Sequence, residues 1–271
     1  MKFSQSKIDF LKKKFFEASD EVLKIYETSF EVHYKKDKSP LTIADITANE
    51  ILTSALHHLF PEDFIVSEEI KISKNYKLPD SFWLIDPIDG TKEFVNKTGD
   101  FTLNIGYVEK GLPVWGMVYA PIYKELYFGG KDLGIFYEKN GILQEIKKNR
   151  NDNEIIALVS RNHISGKEEI LLKQLNVTQK IPMGSSLKIC KLAINEADIY
   201  LRFGETSEWD IAPADALLTV SNGCILTKSG NRLSYGKKNL NNPSFIAFSS
   251  HFLNKIQPFD TFLETILENL V

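Results

Sequence analysis

The sequence predicts a mixed chain, α+β in its first part and α/β in its second, and three observations carry that expectation. A long amphipathic helix opens the chain, short apolar runs divided by turn-like separators fill the middle, and strands alternate with helices over the second half. Over residues 8–30, Ile8, Leu11, Phe15, Ala18, Val22, Ile25 and Tyr26 recur at three-and-four spacing, which collects them on one helical face. The Lys12-Lys13-Lys14 run reads as a solvated outer turn. Residues 34–40 form a charged loop ahead of Pro40, and a second helix is predicted over 46–60.

Short apolar runs follow at 64–66, 82–85, 101–108, 114–119, 125–128 and 134–137. Glu109-Lys110-Gly111, Ala120-Pro121 and Gly129-Gly130 separate them, so mainly antiparallel strands are predicted. The wholly polar stretch 147–154 marks the expected boundary between a 1–150 domain and a 151–271 domain. Beyond it the pattern predicts strands at 155–159, 178–181 and 198–201, interleaved with helices at 167–175, 187–195 and 211–221. Strands at 224–226 and 245–248 and a closing helix at 259–270 complete this α/β part.

Composition narrows the function. The chain has 271 residues, enough for a sizeable core, and 33 Lys and Arg against 36 Asp and Glu give a net charge of −3. Without a basic excess or an aromatic-interleaved face, a polymeric nucleic acid is not the expected partner. The two cysteines, Cys190 and Cys224, lie in apolar settings with no metal-ligand spacing and read as buried free thiols of a reducing compartment. No run of about 18 apolar residues and no leader-like segment is present, so a cytoplasmic protein with no integral membrane segment is expected.

The chemistry concentrates in Trp83-Leu84-Ile85-Asp86-Pro87-Ile88-Asp89-Gly90-Thr91. An apolar strand delivers Asp86 to its end, Pro87 fixes the backbone, and Asp89 returns three residues later, so two carboxylates can face one point. Unless a cation lies between them, that arrangement costs electrostatic energy. A short helix beginning at Gly90-Thr91 would present free amides to a phosphate. Glu68-Glu69 ends another strand, while Asp45 and Asp210 stand at helix starts, where plain capping is the competing reading. Ser185 and Lys188 lie three apart at a further helix start, where a second phosphate, or only a cap and a solvent lysine, would account for them.

These pieces together resemble the inositol monophosphatase superfamily of Mg²⁺-dependent, lithium-sensitive phosphatases. The likeness rests on Ser67-Glu68-Glu69, on the D-P-x-D-G-T string from Asp86 to Thr91 and on Trp209-Asp210, in that order over nearly the whole chain. Within the superfamily the chain is most similar to bacterial 3′(2′),5′-bisphosphate nucleotidases. That finer likeness rests on Asp37 to Asp45, Gly99 to Ile105, Ser160-Arg161-Asn162-His163, Gly184 to Lys188 and Ala197 to Phe203. Asp100 departs mildly from the pattern, standing where Glu is frequent.

The resemblance implies a layered αβαβα sandwich with the metal site where the two parts meet. It implies two or three Mg²⁺ ions: Glu69, Asp86 and the Ile88 carbonyl on one, with Asp86 bridging to a second bound by Asp89 and Asp210. Glu68 is the less favoured member of its pair. Oxygen donors without thiolate or imidazole at ligand spacing independently favour a hard cation over zinc. Thr91, hydrogen-bonded to Asp45, would position and deprotonate the attacking water, and the Gly90 and Thr91 amides would hold the scissile phosphate. Ser185, Lys188, His163 and Arg202 would contact the rest of a small phosphorylated nucleotide, although Arg202 could equally pair with Glu205.

The expected reaction is hydrolysis of 3′-phosphoadenosine 5′-phosphate to AMP and phosphate, a clearing step in sulfur metabolism. Inositol monophosphatase or fructose-1,6-bisphosphatase activity is the same-chemistry alternative, and a non-hydrolysing Mg²⁺-dependent nucleotide sensor is the alternative of another class. A homodimer and a peripheral position at the inner face of the membrane stay open.

Overall fold

The computed structural model describes residues 3–35, 40–70, 77–146, 150, 153–161 and 165–256. The expected helix at 259–270, much of the 147–154 boundary and His163 lie outside the described residues.

Helix α1 (Gln5–Tyr26) is followed by the paired short strands β1 (His33–Tyr34) and β2 (Pro40–Leu41), and by α2 (Ile43–Leu59). Strands β3 (Phe64–Ser67) and β4 (Ser81–Asp89) lead to the short helix α3 (Thr91–Val95). Then come β5 (Thr102–Glu109), β6 (Leu112–Ala120), β7 (Glu125–Gly130), β8 (Gly134–Lys139) and β9 (Ile142–Leu143). The second half runs β10 (Ile156–Ser160), α4 (Gly166–Gln174), β11 (Gln179–Met183), α5 (Leu187–Ala193), β12 (Ile199–Arg202) and β13 (Thr206–Ser207). It closes with α6 (Glu208–Val220), β14 (Cys224–Thr227), β15 (Asn241–Asn242), β16 (Phe245–Phe248) and α7 (Ser250–Lys255).

Strands β3 to β9 form one sheet in sequence order, antiparallel except for the parallel β3–β4 pair. The other large sheet has the order β11-β10-β12-β16-β14, with β10 parallel to both β11 and β12.

Side-chain alternation along the strands builds the layers. On β4, Trp83 and Ile85 face a core shared with α1 and α2, while Phe82 and Leu84 face a second core shared with α5 and α6. On β16, Phe245 and Ala247 join that second core from the other side, and Ile246 and Phe248 turn to a third core with Leu171, Leu172 and Phe252. The result is helix pair, sheet, helix pair, sheet, helix pair: the αβαβα sandwich. Burying one such large apolar side chain contributes roughly 1.5–3 kcal/mol, so both sheets are clamped from two sides.

Three details differ from the sequence reading. Helix α2 starts at Ile43 rather than 46, because Thr42 and Asp45 cap it reciprocally. Helix α1 ends at Tyr26 instead of running to 30, and α6 starts at Glu208 instead of 211. Trp115 is fully buried, and both free cysteines are buried. Among the described residues no helix is long and apolar enough to cross a membrane.

Candidate active site

The site begins with a break in the β4–β5 ladder. Asp86 pairs with Asn104 and Asp89 with Thr102, so three steps on β4 oppose two on β5. Pro87 has no amide to give the ladder, and the extra residue is accommodated as a bulge. Oδ1 of Asp86 accepts from the Ile88 amide at 3.1 Å, which folds the carboxylate back over the bulge. Gly90 follows at φ +89°, a left-handed conformation that glycine adopts without a Cβ penalty, and starts α3.

Helix α6 lies across β5 and β6 where both carry glycine. Gly106 and Gly116 pair in the sheet, and a methyl group on Gly116 would fall 1.9 Å from the Pro213 carbonyl oxygen. This close seating brings Asp210, in the first turn of α6, to the bulge. Its Oδ2 accepts from the Ser207 amide at 2.9 Å, so Asp210 also serves as a capping residue.

Buried Asp86 and half-buried Asp89 and Asp210 are thereby gathered at the floor and wall of one cleft. Burial, then repulsion from Glu68, Asp89 and Asp210, holds Asp86 well above the usual carboxylate range. Asp210 is raised in the same way, by burial and then by Asp89 and Glu68. Burial also raises Asp89, against the opposing pull of Ser186 and Lys188.

A fourth carboxylate corrects the sequence reading. Glu68, not the expected Glu69, is the member of the pair that hydrogen-bonds Asp86 and borders the cleft. The chain turns after β3, and the first residue beyond the strand is the one that faces the bulge. Lys35 spans the pair, with Nζ 2.7 Å from a carboxylate oxygen of each. Burial opposes that ammonium, but the two glutamates outweigh it and raise its pKa.

The expected Asp45–Thr91 bond is a second correction. Oδ2 of Asp45 accepts from the amide and the hydroxyl of Thr42, both at 2.7 Å, and the Thr91 hydroxyl donates to the Ile88 carbonyl at 3.2 Å. Among the described residues, no hydrogen bond joins Asp45 to Thr91. Burial pushes Asp45 up to about 6, with a smaller contribution from Glu69 and Glu68.

The turn before α5 closes the other side. The Ser186 hydroxyl lies between Oδ2 of Asp89 and the Asp210 carbonyl, and accepts from Asn104 Nδ2 at 2.9 Å. Lys188 is only 6% exposed; its Nζ donates to the Ser185 carbonyl at 2.8 Å and lies 5.0 Å from the Tyr200 ring centre. Burial lowers its pKa to about 8. Arg202 donates to the backbone carbonyl of Glu205 at 3.0 Å rather than to its carboxylate.

Two adjoining clefts result. One, of about 530 Å³, is lined by Glu68, Asp86, Ile88, Asp89, Gly90, Thr91 and Asp210. The other, of about 170 Å³, shares Asp89, Gly90 and Asp210 and adds Ser185, Ser186, Lys188, Tyr200 and Arg202. The sequence reading missed Lys35, Asn104 and Ser186 as site residues. Asn104 was within reach of it, because it alternates with Thr102 on a strand otherwise apolar.

Among the described residues, no three acidic, His or Cys side chains are already gathered as a metal cage. Lys35, Ser186 and Ser207 hold Glu68, Asp89 and Asp210 by direct bonds. The donor set still fits a hard divalent cation. It offers carboxylate and carbonyl oxygens, and closely set like charges that a bound cation would relieve.

Comparison with known proteins agrees with the fold. A model described as the inositol monophosphatase family matches residues 5–256. The 3′(2′),5′-bisphosphate nucleotidase CysQ of Salmonella typhimurium is 34% identical over 235 residues, 84% of this chain and 94% of that protein. The solved structure of CysQ from Bacteroides thetaiotaomicron, described as a bacterial member of the inositol monophosphatase family, matches with a TM-score of 0.77 at 32% identity. That match covers 92% of this chain and 98% of the other. An IMPase of Thermotoga maritima shares the fold, with a TM-score of 0.77 at 21% identity, over 98% of each chain.

Proposed function

The chain belongs to the inositol monophosphatase family, and from that premise we propose that it is a Mg²⁺-dependent phosphomonoesterase. It hydrolyses 3′-phosphoadenosine 5′-phosphate to AMP and phosphate, a reading supported by its CysQ relatives, which are named 3′(2′),5′-bisphosphate nucleotidases. One observation carries the reading: Glu68, Asp86, Asp89 and Asp210 face one another beside the Gly90–Thr91 turn, and a buried lysine stands in the adjoining cleft.

Glu68, Asp86, the Ile88 carbonyl, Asp89 and Asp210 would hold two or three Mg²⁺ ions. When bound, Mg²⁺ lowers the pKa of water and offsets charge on the phosphoryl oxygens. The Gly90 and Thr91 amides bind the scissile phosphate, and the Thr91 hydroxyl orients the attacking water. Asp45, nearly buried and ready to take a proton near neutral pH, receives it at Oδ1, since Oδ2 is held by Thr42. Ser185 and Lys188 bind the second phosphate, and Arg202 borders the nucleoside. In this reading the 1–150 part carries most ligands, and the 151–271 part supplies Asp210 and the substrate contacts.

The test is phosphate release from 3′-phosphoadenosine 5′-phosphate against inositol 1-phosphate, with Mg²⁺. A preference for the inositol phosphate of about tenfold or more, some 1.4 kcal/mol of transition-state binding, overturns the choice of substrate.

A further inference from the structure

We infer that Asp100 is a positioning residue that fixes the 184–188 turn against the Gly90 turn and so sets the span between the two phosphates of a bisphosphate substrate. The inference rests on the functional reading above, in which those turns take one phosphate each.

Asp100 is 1% exposed and lies two residues before β5, outside the strand ladder. Four donors converge on its carboxylate. Oδ2 accepts from the Gly184 amide at 2.9 Å, from Arg161 Nε at 2.9 Å and from Arg161 Nη2 at 2.5 Å. Oδ1 accepts from the Tyr123 hydroxyl at 2.5 Å. A buried carboxylate is tolerated only when it is paired and fully bonded, and charge-assisted bonds of this kind are stronger than neutral ones.

The residue also touches both turns as a solid. A methyl group on Gly184 would fall 2.7 Å from the Asp100 carbonyl oxygen and Cβ, and one on Gly90 would fall 3.1 Å from the same oxygen. Asp100 thus stands between the two turns as a spacer, with its backbone against Gly90 and its carboxylate on Gly184. Lys188 follows the turn, because its ammonium is held by the carbonyls of Ser185 and Met183. Ser186, inside the same turn, stays bonded to Asp89, so a shift at Gly184 pivots the turn about that anchor and moves the cation of the second cleft more than it moves the acidic cluster.

The experiment compares Asp100→Asn and Arg161→Gln with the wild-type chain, each with Mg²⁺. The substrates are 3′-phosphoadenosine 5′-phosphate and p-nitrophenyl phosphate, which carries a single phosphate. For Asp100→Asn, KM for the bisphosphate should rise about tenfold while kinetics on p-nitrophenyl phosphate stay within about threefold. Amides of 184–188 should exchange hydrogen faster, with those of 86–91 unchanged. Parallel losses on both substrates, or unchanged exchange at 184–188, overturn the inference. The Arg161 side chain is 38% exposed, so its replacement removes little buried packing. If Asp100→Asn does not fold, Arg161→Gln decides, supporting the inference by a selective rise of about threefold and overturning it by an equal effect or none. A wild-type chain inactive on the bisphosphate overturns the functional reading instead, and the exchange measurement then still decides the placement of Asp100.

Discussion

Oδ2 of Asp89 accepts from both the amide and the hydroxyl of Ser186, at 2.5 and 2.6 Å. One carboxylate thus ties the bulge at the end of β4 to the turn that opens α5. Replacing Asp89 by Asn keeps an oxygen for Ser186 and removes the charge. Turnover should drop by about 10³-fold or more, because the lost charge is one the cation site needs. Melting without metal should stay level or rise, since a half-buried charge repelled by Asp210 has been removed. Phosphate release and thermal melts check both halves, and near-normal turnover refutes the assignment.

Glu68 and Glu69 separate the two ways of reading the S-E-E element. With Glu68 against Asp86 and Glu69 against Lys35 and Asp45, Glu68→Gln should raise the Mg²⁺ concentration for half-maximal activity by about tenfold, and Glu69→Gln by about threefold or less. The Mg²⁺-dependent rise in melting temperature should follow the same order, because an ion that binds only the folded chain stabilises it by mass action. The reverse order would return the ligand role to Glu69.

Lys188 gives the substrate step a pH signature. Burial lowers its pKa to about 8, so the ammonium is charged below that value and neutral above it. Attraction for the second phosphate is therefore fully present at pH 7 and lost as pH rises through 8. For the bisphosphate, kcat/KM, which reports the free enzyme, should bend downward near pH 8, while p-nitrophenyl phosphate shows no matching bend. Lys188→Arg should move the bend out of range, because a guanidinium stays charged. An identical bend for both substrates would remove Lys188 from second-phosphate binding.

The layers were readable in the sequence because strand alternation is a strong signal: Phe82 and Leu84 face one core, Trp83 and Ile85 the other. The D-P-x-D-G-T string likewise announced a backbone that turns two carboxylates inward. What stayed hidden depends on contacts between distant segments. Nothing local tells which of Glu68 and Glu69 turns toward Asp86, or that Lys35, 33 residues before Glu68, will lie between them. Asp45 and Asp210 read alike as capping or site residues, and the structure shows why: each carries a capping bond, while Asp210 also lines the cleft and Asp45 is raised by Glu69 and Glu68. The two-residue strands β1, β2, β9, β13 and β15 are too short for any periodicity to mark them.

Gly116 tests how Asp210 reaches the site. Helix α6 rests on the Gly106–Gly116 pair so closely that a Cβ on Gly116 would overlap the Pro213 carbonyl, while one on Gly106 would lie 3.0 Å from the Pro213 nitrogen. Pro213 cannot yield by bending its own turn, because the ring fixes φ. Gly116→Ala must therefore lift α6 off the sheet, at a cost of about 2–4 kcal/mol, and Asp210, three residues upstream of Pro213, moves with it. Denaturant melts should show that loss, and residual activity should require more Mg²⁺ than the wild type because one ligand has receded. Gly106→Ala should be milder on both counts. A Gly116→Ala chain with wild-type stability and wild-type Mg²⁺ demand would mean that another contact seats the helix.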